Sequence, residues 1–337
     1  MNNTFLVITA KTINNIANKN PTKIYEAVKT AYIRHGQNQA INPPSYFLKF
    51  PDKERSRIIA LPALIMQNPR IAGIKWVSSN PDNIAVGLKR ASAIIILNDY
   101  ETGYPIACLE GGIISALRTV YSAILVSNLL VTSEKEKTIG IVGTGNISEQ
   151  FIHCFSLQNW KISVIKLFDL NPQACINLKA KINQINPKIK VEIAKELKEL
   201  IVQSELIFLS TTSSTPYITE LSWLSHNPII LNISLRDLAP EVLISSNNIV
   251  DDITHVLNAN TSPHLTQEKY GHADFINCTV SELINNYSYN QFNCNQPIIF
   301  SPMGMGILDL AVAHYIYNEA KSSNLCIEID NFFNSND

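Results

Sequence analysis

An apolar strand that runs into a glycine turn and then into an amphipathic helix leaves a chain few folds to adopt, and residues 138–148, Thr-Ile-Gly-Ile-Val-Gly-Thr-Gly-Asn-Ile-Ser, have that form. Gly143 lets the chain turn sharply off the strand, and Gly145 lets backbone approach a pyrophosphate with no Cβ in the way. The helix that starts near Asn146 and Ile147 offers unpaired N–H groups to the same anion. Ser148 stands where a third glycine is usual and is small enough for close helix–strand packing. The turn follows Ile139–Val142 and precedes the helical pattern Glu149–Leu157, and Asp169 ends the next apolar run, Ile162–Phe168. A carboxylate at the tip of that second strand can accept both ribose hydroxyls and would repel a 2′-phosphate, so the expected cofactor is NAD rather than NADP. The structural alternative is a plain tight turn, with Asp169 capping the Asn171–Pro172 turn.

From this strand onward, β and α patterns alternate. Helical patterns run to Leu157 and over Gln173–Asn183 and Leu197–Ser204; strands are expected at Ile162–Phe168, Lys190–Ala194, Leu206–Ser210, Ile229–Ile233, Ile249–Val250 and Ile298–Phe300. Such an order implies right-handed crossovers and a parallel sheet. The first hundred residues lack it. They carry a helix at Pro21–Gln39 and β-like runs at Tyr46–Phe50, Arg57–Leu61, Ile71–Ser78 and Ala93–Leu97, and the stretch Asp99–Gly103 reads as a hairpin turn into Tyr104–Leu109. A long helix, Gly112–Leu130, bridges the two regions. The expected fold class is therefore α/β: a Rossmann-like parallel-sheet NAD domain over 121–308, and a discontinuous mixed α/β domain over 1–120 and 309–337 that binds substrate and dimerises. A final helix, Asp309–Ser322, would return the chain to the first domain.

At 337 residues the chain is long for one core, and 46% hydrophobic content supplies two without staples. A net charge of −1 with no basic block gives no footprint for nucleic acid or anionic lipid, which leaves small molecules as the expected partners. The six cysteines are scattered without metal-ligand spacing and read as reduced, mostly buried thiols; His255, His264 and His272 match no metal motif, so no metal is expected, although His264 could line the pocket. The start, Met1-Asn2-Asn3-Thr4-Phe5, lacks a basic n-region, and the apolar stretch Val120–Val131, broken by Ser122, Ser127 and Asn128, falls short of a membrane span. A soluble cytoplasmic protein is the expectation.

In order and spacing, Ile74-Lys75-Trp76, residues 97–103 (Leu-Asn-Asp-Tyr-Glu-Thr-Gly), residues 109–119 (Leu-Glu-Gly-Gly-Ile-Ile-Ser-Ala-Leu-Arg-Thr), Gly143-Thr144-Gly145 and residues 303–311 from Met303 to Ala311 resemble the ornithine cyclodeaminase/μ-crystallin family across nearly the whole chain. Residues 72–79, Arg90-Ala91-Ser92 and residues 233–238 look most like its branch that makes L-2,3-diaminopropionate in siderophore-type clusters. That resemblance implies an N-(2-amino-2-carboxyethyl)-L-glutamate dehydrogenase: NAD oxidises the glutamate carbon–nitrogen bond, and water splits the imine into 2-oxoglutarate and diaminopropionate. The cyclodeaminase subgroup commonly has Gly-Gly-Asp where this chain has Leu235-Arg236-Asp237, a departure that disfavours ornithine cyclisation. Ornithine or lysine cyclodeamination and a μ-crystallin-like NAD(P)-dependent imine reductase or ligand-binding protein remain the alternatives, and a homodimer is expected on the same resemblance and on the edge strands of the first domain.

Asp237 follows the apolar strand Ile229–Ile233, which puts it at the carboxyl edge of the sheet, where one carboxylate can take a proton from the substrate amine and then activate water. The family's catalytic aspartate matches it; the alternative is a cap for a helix near Leu238-Ala239-Pro240. Lys75 interrupts an apolar run and would need a partner if buried, a ligand carboxylate or a water; the matching family lysine binds substrate and helps position the water, whereas a strand lysine can also face solvent. The resemblance further assigns Arg118 and Thr119 to cofactor phosphates or substrate, Lys49 and Arg57 to a substrate carboxylate, and Met303 and Gly304 to the neighbourhood of nicotinamide and substrate. Arg236, beside Asp237, suits a substrate with more than one carboxylate. Thr211 and Thr212, which close the strand Leu206–Ser210, and Ser234 are expected beside the cofactor. Surface side chains, a polar loop and Met-Gly packing are the competing readings at these positions.

Overall fold

The computed structural model describes residues 4–66, 69–131, 137–158, 160–285 and 291–333; the expectation about Met1-Asn2-Asn3 lies outside them. The chain divides into two compact units, residues 1–118 with 305–337, and residues 119–304.

The first unit is built on one eight-stranded sheet. Its strands are β1 (Phe5–Ile8), β2 (Ala40–Ile41), β3 (Tyr46–Phe50), β4 (Lys53–Ile65), β5 (Ile71–Ser79), β6 (Ala91–Asn98), β7 (Pro105–Glu110) and, from the far end of the chain, β16 (Ile327–Ile329). They lie in the order β16-β1-β7-β6-β5-β4-β2, with β3 also on β4, and only β1 and β7 run parallel. Helices α1 (Ala10–Lys19), α2 (Pro21–Gly36) and α11 (Gly306–Ser322) belong to the same unit, and α11 packs on β4, β5 and β6. The other face presents a row of direct strand partners, Tyr46, Ala60, Trp76 and Ile94, of which Tyr46, Trp76 and Ile94 are exposed.

Strands β1, β2 and β16 were not among the expected runs, and two other elements here escape the sequence pattern. Helix α1 is rich in Asn and Lys and has no apolar run; only Ile13, Ile16 and Ala17 are buried, and Thr9 caps it by accepting from the Thr12 N–H. Strand β4 is far longer than the expected Arg57–Leu61, because its charged start is paired with β3 while its apolar half is paired with β5.

The second unit is an all-parallel sheet in the order β10-β9-β8-β11-β12-β15-β13-β14. The strands are β8 (Lys137–Val142), β9 (Ile162–Phe168), β10 (Lys190–Ile193), β11 (Leu206–Leu209), β12 (Ile229–Asn232), β13 (Asn247–Val250), β14 (Ile276–Thr279) and β15 (Ile298–Ser301). Helices α4 (Asn146–Phe155), α5 (Pro172–Ile185) and α6 (Leu197–Val202) connect β8 to β11, so strand order reverses between β8 and β11. All strands point one way, and their carboxyl ends form one edge; in sheets of this kind ligands bind beside that edge where the order reverses. Both faces are buried, which explains the unbroken apolar strands Leu206–Leu209 and Ile298–Ser301. Phe151 of α4 stacks on Phe208 of β11 at 4.0 Å between ring centres.

Strand β13 begins two residues before the expected Ile249. Asn247 and Asn248 disfavour strands by composition, yet both are buried: Asn248 Nδ2 donates to the carbonyls of Leu243, Ser246 and Phe275. β14 was not visible in the sequence either, since Ile276-Asn277-Cys278-Thr279 is too short and too polar to stand out.

Helix α3 (Gly111–Leu130) begins in the first unit and ends in the second. It is long and apolar enough to cross a membrane, a correction to the expectation drawn from Val120–Val131; 67% of its most apolar window is buried inside the protein. All six cysteines are free, but only Cys154, Cys175 and Cys278 are buried, and Cys294 is exposed, so the thiols are less buried than expected.

Candidate active site

The carboxyl edge of the parallel sheet gathers most of the residues singled out in the second unit: Gly143 after β8, Asp169 after β9, Thr211 after β11, Asp237 after β12, and Met303 after β15. At the first of these, Gly143 has φ +83°, a conformation L side chains avoid, and a Cβ there would stand 2.7 Å from the Ser210 carbonyl oxygen. Gly145 has open space above it and is the N-cap residue of α4, with no side chain capping the helix. Exposed Asn146 and half-buried Ile147 begin that helix, so its first N–H groups face an open site. Ser148 is buried and does more than fit: its Oγ donates to the Gly143 carbonyl at 2.5 Å and lies 2.7 Å from Ser210 Oγ, which ties the turn to the end of β11.

Asp169 accepts from Thr144 N (2.7 Å) and Thr144 Oγ1 (3.1 Å) through Oδ2, and from Asn171 N (2.9 Å) through Oδ1. It caps the Asn171 turn and also braces the glycine turn, and Oδ1 keeps a lone pair for a hydroxyl. The open Gly145 surface, the uncapped helix start and a carboxylate at the neighbouring strand tip fit a dinucleotide.

Asp237 is fully buried. Its carboxylate accepts from Thr211 Oγ1 at 2.9 and 3.0 Å, Tyr217 Oη at 2.7 Å and Ser234 Oγ at 2.5 Å. Burial pushes its carboxyl pKa up, and the three hydroxyls pull against that shift. The capping alternative fails: the next helix, α7 (Pro240–Leu243), has Ala239 as N-cap residue and no side-chain cap. Thr212 is exposed in the loop after Thr211. Arg236 is half-buried, and its Nη2 donates to the Ala259 carbonyl at 3.3 Å. Leu235 holds φ +77°, a left-handed conformation that glycine adopts freely.

Asp251, after β13, is a buried carboxylate that sequence reasoning missed. It accepts from the backbone N–H of Met303 (3.0 Å), Gly304 (2.5 Å) and Asp252 (2.9 Å), and so fixes the Met303–Gly304 loop, in which Gly304 has φ +93°. Its pKa is raised by burial against those three donors. His264 Nδ1 accepts from Asn260 N at 3.1 Å within its own loop.

In the first unit, Lys75 is 2% exposed, and the side chains of Asp309 and Ser115 are within hydrogen-bond reach of it. Nζ lies 2.6 Å from Asp309 Oδ2 and 3.1 Å from Ser115 Oγ, and Arg118 Nε lies 3.3 Å from Asp309 Oδ1. Burial lowers the Lys75 pKa to about 8, against the attraction of Asp309 and with help from the Arg118 charge. Asp309 is itself fully buried and was not among the expected site residues. The signal lay in the sequence: a single charge inside the apolar segment Gly306-Ile-Leu-Asp-Leu-Ala-Val, on the helix that packs against β5. Thr119, next along α3, falls in the second unit. Lys49 is exposed on β3 directly opposite the half-buried Arg57 of β4.

The described geometry can be set beside known proteins. The model of the ornithine cyclodeaminase/mu-crystallin family matches residues 6–324. The chain is 30% identical over 317 residues to the N-((2S)-2-amino-2-carboxyethyl)-L-glutamate dehydrogenase of Staphylococcus aureus, covering 92% of this chain and 94% of that one. It is 25% identical to the alanine dehydrogenase of Archaeoglobus fulgidus over 91% of this chain and 92% of that one. In fold it is similar to the Thermococcus litoralis Delta(1)-pyrroline-2-carboxylate reductase solved with NADH and L-proline, with a TM-score of 0.87, 20% identity, and coverage of 96% and 100%. A full-length sequence match, the parallel sheet with its glycine turn, and the strand-tip carboxylates agree: this chain belongs to the ornithine cyclodeaminase/mu-crystallin family.

Proposed function

We propose that the protein is an NAD-dependent oxidoreductase that cleaves N-(2-amino-2-carboxyethyl)-L-glutamate to 2-oxoglutarate and L-2,3-diaminopropionate. The observation that carries the substrate is the 30% identity, over 92% of this chain, to a dehydrogenase named for that compound. The second unit serves as the NAD domain, and the first as the substrate and dimerisation domain.

NAD, when bound, would supply the acceptor for the hydride that leaves the glutamate α-carbon. The residues supply the rest. The glycine turn and the start of α4 hold the pyrophosphate, Asp169 accepts from the adenosine ribose, and Thr211, Thr212 and Ser234 line the cofactor. Arg118 and Thr119 meet its phosphates or the substrate, and the loop of Met303 and Gly304 lies beside the reacting end. Asp237 takes the proton from the secondary amine as the C–N bond becomes an imine. After passing that proton to the medium, it takes a proton from the water that adds to the imine carbon and delivers it to the departing amine nitrogen. A carboxyl pKa raised by burial suits a group that must both accept and donate near neutral pH. Its contact with the medium runs through the half-buried hydroxyls of Ser234, Tyr217 and Thr211. Lys75 with Arg118 presents positive charge to a substrate carboxylate, and Asp309 keeps that lysine charged; Lys49, Arg57 and Arg236 are the further basic residues assigned to substrate.

The apolar row Tyr46, Ala60, Trp76 and Ile94 is the surface we assign to a homodimer, and a cytoplasmic location belongs to the same reading. Purified protein incubated with NAD and the glutamate conjugate is expected to accumulate NADH and to give both products by mass in equal amounts. Release of ammonia from ornithine or lysine without NADH would replace this reading with cyclodeamination, and nucleotide binding without turnover of any of the three would replace it with a binding protein.

A further inference from the structure

Lys49 of β3, Arg57 of β4 and Ser79 of β5 are direct partners across the sheet. Direct partners project to one face, and side chains alternate along a strand, so these three share the face that also carries Val77 and Lys75. Arg90, just before β6, donates Nη1 to Ser79 Oγ at 2.9 Å. Two guanidinium groups thus flank one buried hydroxyl. Arg57 Nε is itself buried and has no hydrogen-bond partner, and among the described residues neither arginine pairs with a carboxylate. The acid nearest to Arg90 along the sequence, Asp82, is already engaged by Arg55. Partial burial and then the Arg57 charge both disfavour the charged form of Arg90, so the pair is held together at a cost.

Two forked cations kept side by side, one of them with a buried donor that has no partner, have the chemistry of an anion site. Ser79 is four residues along β5 from Lys75, about 13 Å at roughly 3.3 Å per residue. We propose that Arg57 and Arg90, steadied by Ser79 and flanked by Lys49, form a second carboxylate subsite that selects dicarboxylic over monocarboxylic amino-acid substrates. Resting on the substrate class assigned above, the inference gives the distal carboxylate to this pair rather than to Arg236, and leaves the proximal one to Lys75 and Arg118.

The test compares binding of 2-oxoglutarate with that of 2-oxopentanoate, which has the same chain length but no distal carboxylate, to the NAD-loaded full-length protein by calorimetry. Wild type is expected to prefer 2-oxoglutarate by about ten-fold or more, the worth of one charge-assisted hydrogen bond. Arg90→Gln and Arg57→Gln are expected to bring that ratio close to one, and Arg90→Lys to retain part of it, because charge remains while the fork is lost. Arg90 is exposed at the rim, so its variant keeps the test clear of misfolding. A wild-type protein with no preference, or an Arg90→Gln protein with the wild-type ratio, would overturn the inference. NADH formation from the glutamate conjugate is scored separately, so that a wrong substrate and a wrong subsite give different outcomes.

Discussion

Removing the Asp309 carboxylate tests the electrostatics of the first unit directly. Asp309→Asn leaves Lys75 in a site where it is 2% exposed, with Ser115 Oγ as its remaining acceptor. Breaking a buried pair at one end costs about 3–5 kcal/mol, whereas replacing both charges by apolar or neutral groups of similar volume is often neutral. Asp309→Asn is therefore expected to lose about 3–5 kcal/mol, and Lys75→Met/Asp309→Asn to recover at least about 1.5 kcal/mol relative to the sum of the single changes. The wild type adds a pH signature. The folded pKa of Lys75 is about 8 and its unfolded value about 10.4, so between these values the unfolded chain holds the extra proton. The burdened state is the folded one below pH 8, and stability contributed by this group rises as pH climbs from 8 to 10.4, by about 3 kcal/mol at 1.36 kcal/mol per unit. Urea unfolding read from Trp76 emission, in a background where Trp160 and Trp223 are phenylalanine, measures both effects near the site. Lys75→Met must lack the alkaline rise that wild type shows. An Asp309→Asn protein within about 1 kcal/mol of wild type, with no recovery in the double variant and the same alkaline slope with and without Lys75, would refute the reasoning.

Asp237→Asn keeps the shape of the group but cannot cycle a proton, so kcat is expected to fall by about 10²–10⁴ while the NAD Kd stays within a few-fold; steady-state rates beside fluorescence titration decide, and unchanged turnover removes the assignment. The two turn glycines should part company. Gly143→Ala puts a Cβ 2.7 Å from the Ser210 carbonyl oxygen at φ +83° and should cost about 1–3 kcal/mol in urea unfolding, whereas Gly145→Ala meets open space and should fold like wild type but bind NAD more weakly. Equal stability in both variants would show that the turn is not built as described. Trp76→Glu places a charge in the exposed apolar row of the first sheet and is expected to yield a monomer by sedimentation while leaving thermal unfolding of the monomer little changed; a dimer that survives it must use another surface.

How much of this was legible depended on whether a signal is local. The glycine turn, Asp169 and the alternating strands of the second unit depend on neighbours within about thirty residues, so periodicity and turn chemistry expose them. Helix α1, the first half of β13 and strand β14 did not show: α1 buries only Ile13, Ile16 and Ala17 among polar residues that mostly face solvent, and Asn248 is held in β13 by donating to the nearby carbonyls of Leu243 and Ser246 and to that of Phe275, 27 residues away. Asp237 was legible as a strand-tip acid, but its cradle was not, since Thr211 and Tyr217 of the loop after β11 and Ser234 of the loop after β12 converge on it.

The buried cluster shows what a sequence can be asked beyond periodicity. Lys75 was recognised as a charge that needs a partner if buried, with a ligand carboxylate or a water as the candidates. Its partner is 234 residues away. Yet Asp309 posed the complementary problem in plain view, a lone carboxylate in an apolar helix, and desolvation makes both charges untenable apart. A chain with one stranded cation in a strand and one stranded anion in a helix has a compact way to relieve both, which is to pack that helix on that strand. Electrical neutrality of the core therefore predicts the contact of α11 with β5, and with it the return of the last helix to the first unit, from two residues that hydrophobic patterning alone would count as errors.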